Sequence, residues 1–296
     1  MQMLRDLIAL AKPRITVFVV LTALGGFWLA HTSGGPGHTM LPISWELMAW
    51  SLVGTALIVS GANALNMYME RESDKYMART ANRPLPSGRM KPAVALVFGL
   101  SLTLLSLVLL YRVNLVTCAL GALASVLYVL AYTPLKRRSH YSLLVGAIPG
   151  ALPPLMGWTS VTGACSAGGL VLFAILFFWQ VPHSLAIGLF RSEDYERAGL
   201  PVLPNVHGHY VTHVWMLQYT VGLLGVSLLL APLGITSWMY VPAALLLGGG
   251  FLVRTWRMPD QSKDAAGLYK WARGVFFYSL IYLVALFVAI AVFAAS

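Results

Sequence analysis

Residues 51–74 read SLVGTALIVSGANALNMYMERESD, and this stretch decides the class of fold. It continues an apolar run over 46–69 whose only charge is Glu46 at its start. About 20 such residues cross the hydrocarbon of a bilayer as a helix. Backbone polar groups in lipid must pair within their own segment, so the run reads as helix. The run then turns abruptly polar, with Glu70, Arg71, Glu72 and Asp74 in quick succession. Asn63 and Asn66 lie inside the apolar part, where polar side chains are costly and mark function. The pattern is a membrane helix whose end carries chemistry.

Working outward, further runs of this kind occupy 15–31, 92–111, 114–133, 141–162, 167–189, 213–231, 238–253 and 273–294, the eighth of the nine (238–253) being the shortest. The 296 residues are 58% hydrophobic and 10% charged, whereas soluble domains have roughly 45–50% apolar and about 25% charged residues. A soluble enzyme could not hide this excess, and a disordered chain would be far more polar. Short alternating strands of the kind a membrane β-barrel needs are not seen. The expected fold is an all-α polytopic membrane protein. Nine transmembrane helices surround a central cavity opening to the cytoplasmic side, and residues 1–296 form a single integral membrane domain. Met1–Arg14 is polar and basic and reads as no cleavable signal peptide. Cys118 and Cys165 form no CxxC pair, which argues against a disulfide framework or a thiolate metal site.

Charge placement orients the chain. With nine spans, nineteen of the 20 Lys and Arg residues fall on one side and only Arg112 on the other. Basic loops stay cytoplasmic, so the N-terminus is expected inside and the C-terminus outside. The excess of basic over acidic residues therefore reports topology, and no nucleic acid is expected as a partner. The acids follow the same side, although no topology rule draws them there. They gather just beyond spans two and six.

These two ends resemble each other. Arg71-Glu72-Ser73-Asp74 matches Arg191-Ser192-Glu193-Asp194, and a tyrosine follows in each, at Tyr76 and Tyr195. Pro84-Leu85-Pro86 resembles Pro201-Val202-Leu203-Pro204, while Asn63 lines up with His183 and Glu70 with Phe190. The matches suggest a four-helix internal repeat followed by a ninth helix. Sites in membrane proteins are often built where such repeats meet.

Three constellations carry candidate chemistry. Asn66, Glu70 and Asp74 are spaced four apart, which on a continuing helix puts them on one face. Mg²⁺ takes carboxylate oxygens and keeps waters and phosphate oxygens as its other ligands, so the stripe suits a metal-bridged diphosphate. The alternative is an ordinary solvated helix end; the asparagines one turn deeper favour the site. The second constellation is Arg191, Glu193 and Asp194, preceded by Trp179-Gln180-Val181-Pro182-His183. Asp194 is the second metal-side carboxylate. His183 is open to two readings, a helix–helix hydrogen bond or a substrate contact and proton acceptor. The third is basic: Arg79, Asn82 and Arg83 follow the first acids, and Lys136 lies one turn after Tyr132. Arginine forks and lysine ammonium groups match phosphate oxygens. For Arg137 and Arg138, plain topology is the better account. His207, His209 and His213 have metal-like spacing without a completing carboxylate or cysteine, so no dedicated metal site is expected there.

Together these residues resemble the UbiA-type intramembrane prenyltransferase superfamily, typified by 4-hydroxybenzoate polyprenyltransferase, which has acid-rich motifs at the ends of helices two and six. Within it, the protoheme IX farnesyltransferase (heme O synthase) family is the closer match. The resemblance runs through nearly the whole chain. It includes Lys12-Pro13-Arg14, the stretch Arg79-Thr80-Ala81-Asn82-Arg83-Pro84-Leu85, and Tyr132-Thr133-Pro134-Leu135-Lys136-Arg137. Its most specific part is Trp179-Gln180-Val181-Pro182-His183-Ser184 with Phe190-Arg191-Ser192-Glu193-Asp194-Tyr195. Glu70 and Glu72 stand where that family usually has Asp. Glu70 keeps the charge with a longer reach, and Glu72 is expected to be peripheral.

The resemblance implies that farnesyl diphosphate, heme b and water give heme O and diphosphate. It implies Mg²⁺ held by Asn66, Glu70, Asp74 and Asp194, and diphosphate held by Arg79, Arg83, Lys136, Arg191 and Tyr132. His183 would contact heme or steer the water. Heme b is then a substrate rather than a cofactor, and heme A synthase or a terminal oxidase lies downstream. The implied location is a bacterial cell inner membrane. The rival readings are a membrane prenyltransferase for an aromatic or quinone precursor and a secondary transporter.

Overall fold

The computed structural model describes residues 1–33, 43–77, 80–259 and 264–295, leaving aside the side chain of Ala265. They are all-helical apart from one isolated bridge between Thr236 and Ala294. An amphipathic α1 (Gln2–Ala11) precedes α2 (Pro13–Thr32) and α3 (Trp45–Glu70), after which a 3₁₀ turn covers Ser73–Tyr76. Then come α4 (Pro92–Val113) and α5 (Leu115–Val126), the latter continuing through a π-helical stretch, Leu127–Tyr132, into the single turn α6 (Thr133–Leu135). The second half holds α7 (Ser142–Thr162), α8 (Ala167–Phe190), the short α9 (Ser192–Arg197), α10 (Leu203–Leu228), α11 (Tyr240–Trp256) and α12 (Ala265–Val292).

Seven helical stretches are long and apolar enough to cross a membrane: α2, α3, α4, Leu115–Leu135, α8, α10 and α12. Against the expectation of nine, two differ. Helix α11 has 17 residues, and α7, continuous over 21, carries Pro149, Pro153 and Pro154 inside it. The burial of α7 explains its weaker apolarity. It is shielded almost continuously from Ala147 to Ser160, packed against α2, α5 and α8. A helix surrounded by other helices does not need a lipid-compatible surface, and its neighbours can satisfy backbone groups that proline frees. Two further differences are local. Helix α1 was not anticipated; it buries Asp6 and Leu10 and leaves Met3, Leu4 and Ile8 exposed. Helix α10 starts at Leu203, well before 213, and kinks at Gly208 with φ 77°. The polar residues Asn205, His207 and His209 hide that first part from a hydropathy reading.

Large apolar side chains point outward. Val97, Leu100, Leu104 and Val108 form an exposed stripe on α4, while its buried side carries Ala95, Gly99 and Ser106. This inversion is what a lipid solvent favours, because helices in it associate by close packing of small residues and by hydrogen bonds. Such bonds recur: Ser51 with Ser160 at 2.7 Å, Thr117 with Thr159 at 2.9 Å, and Ser106 Oγ to the Gly54 carbonyl at 2.7 Å. The packing order also recurs. Helices α2–α3, α3–α4 and α4–α5 pair in the first half, α7–α8, α8–α10 and α10–α11 in the second, and α2 joins the halves by packing on α7.

The α2–α7 contact is the tightest. A Cβ on Gly157 would collide with the Ala23 carbonyl oxygen, and one on Gly26 with that of Pro154. Both obstacles are backbone, which cannot rotate away. Gly157→Ala is therefore expected to push the halves apart and cost about 1–3 kcal/mol, read as a lower unfolding temperature of the detergent-solubilised protein. Gly249→Ala, with open space around it, is the matched control.

Candidate active site

Helix α3 places Asn63, Asn66 and Glu70 on its buried side. The helix ends at Glu70, so Asp74 is not on the same continuous helix face, as its spacing had predicted. The 3₁₀ turn carries it back instead, and Asp74 is 1% exposed. The Ser73 hydroxyl donates to the Glu70 carbonyl at 3.0 Å, and Thr80 Oγ1 donates to the Asp74 carbonyl at 2.7 Å. These bonds hold the turn where the helix would otherwise have run into water.

Each acid meets a cation. Lys136 Nζ lies 3.0 Å from Glu70 Oε1, and Arg83 Nη1 lies 2.6 Å from Asp74 Oδ2. Asn66 accepts from Lys12 Nζ at 3.3 Å and donates to Thr133 Oγ1 at 3.1 Å. Arg83, Glu70, Lys136 and Asp74 are all close enough to act on the Lys12 charge. Burial first, then Arg83 and Lys136, against the opposing pull of Glu70 and Asp74, hold the Lys12 ammonium down to about 8. Burial also works against Lys136, but Tyr132, Glu70 and Tyr195 outweigh it and keep that ammonium above its usual value.

A local device aims Lys136. Pro134 has no N–H to give the preceding turn. The chain ahead of it widens to a π-turn in which the Thr133 N–H reaches the Tyr128 carbonyl. Thr133 Oγ1 donates to that same carbonyl at 2.8 Å and so presents its oxygen to Asn66. Single π-turns inside helices are concentrated at functional sites. Tyr132 and Lys136 then line a cavity of about 160 Å³ together with His140, Ser184, Gly188 and Tyr195.

The second motif is built differently. Helix α8 ends at Phe190, and Asp194 sits on α9 with Arg191 at 3.3 Å and Arg197 at 2.7 Å, both partners exposed. Its following residue, Tyr195, reaches the cavity and Lys136. Lys136 and Tyr195 thus share one cavity, whereas the ion pairs of Asp194 are with Arg191 and Arg197 of its own segment. His183 makes a hydrogen bond between helices. Its Nδ1 is 2.7 Å from Ser279 Oγ on α12, and that hydroxyl already donates to the Phe276 carbonyl at 2.6 Å, so the imidazole N–H is the donor. Trp179 and Phe276 flank the ring with centroids at 4.6 and 4.9 Å. Glu72 is exposed and bound to Lys75 at 2.7 Å, away from the acid network. Arg79 lies outside the described residues.

Lys12 was missed as a site residue. It is the one described non-glycine residue with positive φ, at 47°, and it caps α2 just before Pro13. The available signal was a basic residue directly ahead of a helix-starting proline. Arg137, assigned to topology, donates to Ser73 Oγ at 2.7 Å.

The donor set can hold a hard cation. Asp74 Oδ1 is buried with no hydrogen-bond partner, and so is Asn63 Nδ2. An orphaned carboxylate oxygen is costly unless something satisfies it. Among the described residues, no three His, Cys, Asp or Glu side chains converge as a closed cage. That fits a cation bound through one or two carboxylates and completed by phosphate oxygens.

The model of the UbiA prenyltransferase family matches residues 19–281. A protein named protoheme IX farnesyltransferase from Myxococcus xanthus is 49% identical over 292 residues, covering 97% of this chain and 93% of that one. A solved structure of digeranylgeranylglyceryl phosphate synthase has a TM-score of 0.81 at 17% identity, covering 100% of this chain and 99% of that one. A UbiA homolog from Archaeoglobus fulgidus bound to GPP and Mg²⁺ has a TM-score of 0.66 at 15% identity, covering 96% and 99%. At these identities the two structures bear on the fold alone.

Proposed function

The chain belongs to the UbiA prenyltransferase family, and we propose that it transfers the farnesyl group of farnesyl diphosphate, with addition of water, to a vinyl group of heme b. The products are heme O and diphosphate. The observation that carries this reading is the high identity, over nearly the whole length, to a protein named for that reaction. Membership in a prenyltransferase family removes the transporter alternative.

The residues support a division of labour. Arg83 and Lys136, with Arg79 from the sequence, hold the diphosphate, and Tyr132 lines its cavity; Arg191, expected beside them, lines a separate cleft with Phe190 and Arg273 instead. Asn66, Glu70, Asp74 and Asp194 are the oxygen donors we assign to Mg²⁺; the free Asp74 Oδ1 supports Asp74 itself, and the described acids form no closed cage that would hold one ion by all of them together. When bound, Mg²⁺ supplies charge neutralisation to the departing diphosphate. As the farnesyl C1–O bond breaks, negative charge grows on the leaving oxygen, and the fixed ammonium and guanidinium groups stabilise it without reorganising. The apolar cavity wall, including Gly188, Leu185 and Ile187, limits water around the allylic carbon. The vinyl carbon of heme b forms the new C–C bond, one water adds its oxygen to the neighbouring carbon, and a proton is released. His183, hydrogen-bonded to Ser279, is the residue we assign to steering that water or contacting the heme.

Residues 1–296 are read as one domain with nine membrane crossings, α7 and α11 included, around a cavity open to the cytoplasm. The one-sided basic residues support that number, since omitting these two crossings would move Arg191 and Arg197 to the other side beside Arg112. The N-terminus then lies in the cytoplasm of a bacterium, the protein sits in its inner membrane, and heme A synthase or a terminal oxidase takes the product.

Membranes containing the protein, given labelled farnesyl diphosphate with heme b or with 4-hydroxybenzoate, are expected to place label in a more hydrophobic heme and to release diphosphate. Label only in the aromatic acid would refute the heme assignment.

A further inference from the structure

The internal similarity breaks at the end of the second helix of each half: Phe190 stands where the first half has Glu70. Glu70 faces a lysine, whereas Phe190 faces aromatic rings on α12, with Tyr269 at 6.2 Å and Phe276 at 5.7 Å in edge-on contact. These rings line a cleft of about 390 Å³ between α8 and α12, completed by Ile187, Phe277, Arg191 and Arg273. Arg273 lies over the rings of Tyr269 and Phe277, 5.6 and 5.8 Å from their centroids, and Arg191 lies over Phe190 at 5.8 Å. Among the described residues no carboxylate pairs with Arg273. Tyr269 and Phe277 are 46% and 51% exposed. Ile187 lines both this cleft and the cavity that holds Lys136.

We propose that this α8–α12 cleft is the docking site for heme b, with the propionates on Arg273 and Arg191 and the macrocycle against Phe190, Phe276 and Phe277; the inference rests on the reaction proposed above. The chemistry of the wall selects the occupant. A planar apolar ring is matched by flat aromatic surfaces, which gain from stacked and edge-on contacts. Two carboxylates on one edge are matched by two guanidinium forks at the aqueous end. An acyl chain needs neither feature. The shared Ile187 wall sets the ligand beside the diphosphate cavity.

Heme b is titrated into the purified protein in nanodiscs and followed by its Soret band, alongside steady-state kinetics. Arg273→Gln is expected to weaken heme binding about tenfold and to raise the KM for heme by the same factor. The KM for farnesyl diphosphate and kcat should stay as they are. Arg273→Lys should regain part of the loss, and heme dimethyl ester should bind both proteins equally. The inference is overturned if Arg273→Gln binds heme as tightly as the unaltered protein. Equal weakening of the ester, or no saturable binding in the unaltered protein, also overturns it. If phosphatidylglycerol displaces heme only while Arg273 is present, the cleft is an anionic-lipid site and the inference falls. The two proposals fail separately. Heme bound through Arg273 without farnesylated product keeps the cleft and loses the reaction; normal product with unchanged binding in Arg273→Gln does the reverse.

Discussion

Asp74→Ala is expected to lower prenyl transfer by about 10²–10³-fold, the scale of removing one fixed electrostatic element from a transition state. The substitution removes the buried oxygen that has no protein partner and also releases Arg83 from its 2.6 Å contact. It should leave the fold intact, because Arg83 is partly exposed and can turn to water, so no charge is stranded. Asp74→Asn should lose nearly as much activity, since a neutral amide cannot replace the carboxylate toward a cation. The check is diphosphate release in a single turnover, with membrane insertion and unfolding temperature measured in parallel. A chelator added to the unaltered protein should reproduce the loss. Full activity in Asp74→Ala would remove the metal role from this rim.

Lys136→Met is expected to be as damaging to turnover and far worse for the fold. It takes away a cation beside the leaving group, worth about 10²-fold on the same electrostatic scale. It also strands Glu70, whose side chain is 6% exposed. Breaking a buried pair by removing one partner costs about 3–5 kcal/mol, because the remaining charge is left uncompensated. The two effects separate in a double variant. Adding Glu70→Gln to Lys136→Met should restore most of the unfolding temperature and little of the rate. A double variant that recovered activity together with stability would show that Lys136 serves the fold alone.

The membrane class and the two polar helix ends were legible because both depend on local composition. A run such as 167–189 ends where its apolarity ends, and the helix Ala167–Phe190 ends there too. The limits of this reading are also physical. The run 141–162 likewise matches α7 (Ser142–Thr162), but hydropathy reports only apolar runs, so the polar start of α10 is invisible to it. Spacing of four predicts a shared face only while the helix continues. Asp74 reaches the site through a turn held by Ser73 and Thr80 rather than by helical repetition. Lys12 carried a signal, a basic residue before Pro13, but nothing local reveals that its ammonium reaches Asn66 on another helix.

By itself the sequence determined that this chain lives in a bilayer, which end of each long helix is polar, and which residue types wait there, since these follow from side-chain transfer energies along a single segment. Only the tertiary structure decided which acid meets which cation and that Lys136 and Tyr195 line one cavity. It likewise decided that the position matching Glu70 became the aromatic wall of Phe190. Those choices depend on contacts between helices distant in sequence, whose geometry is set by close packing of small residues and by one proline-widened turn.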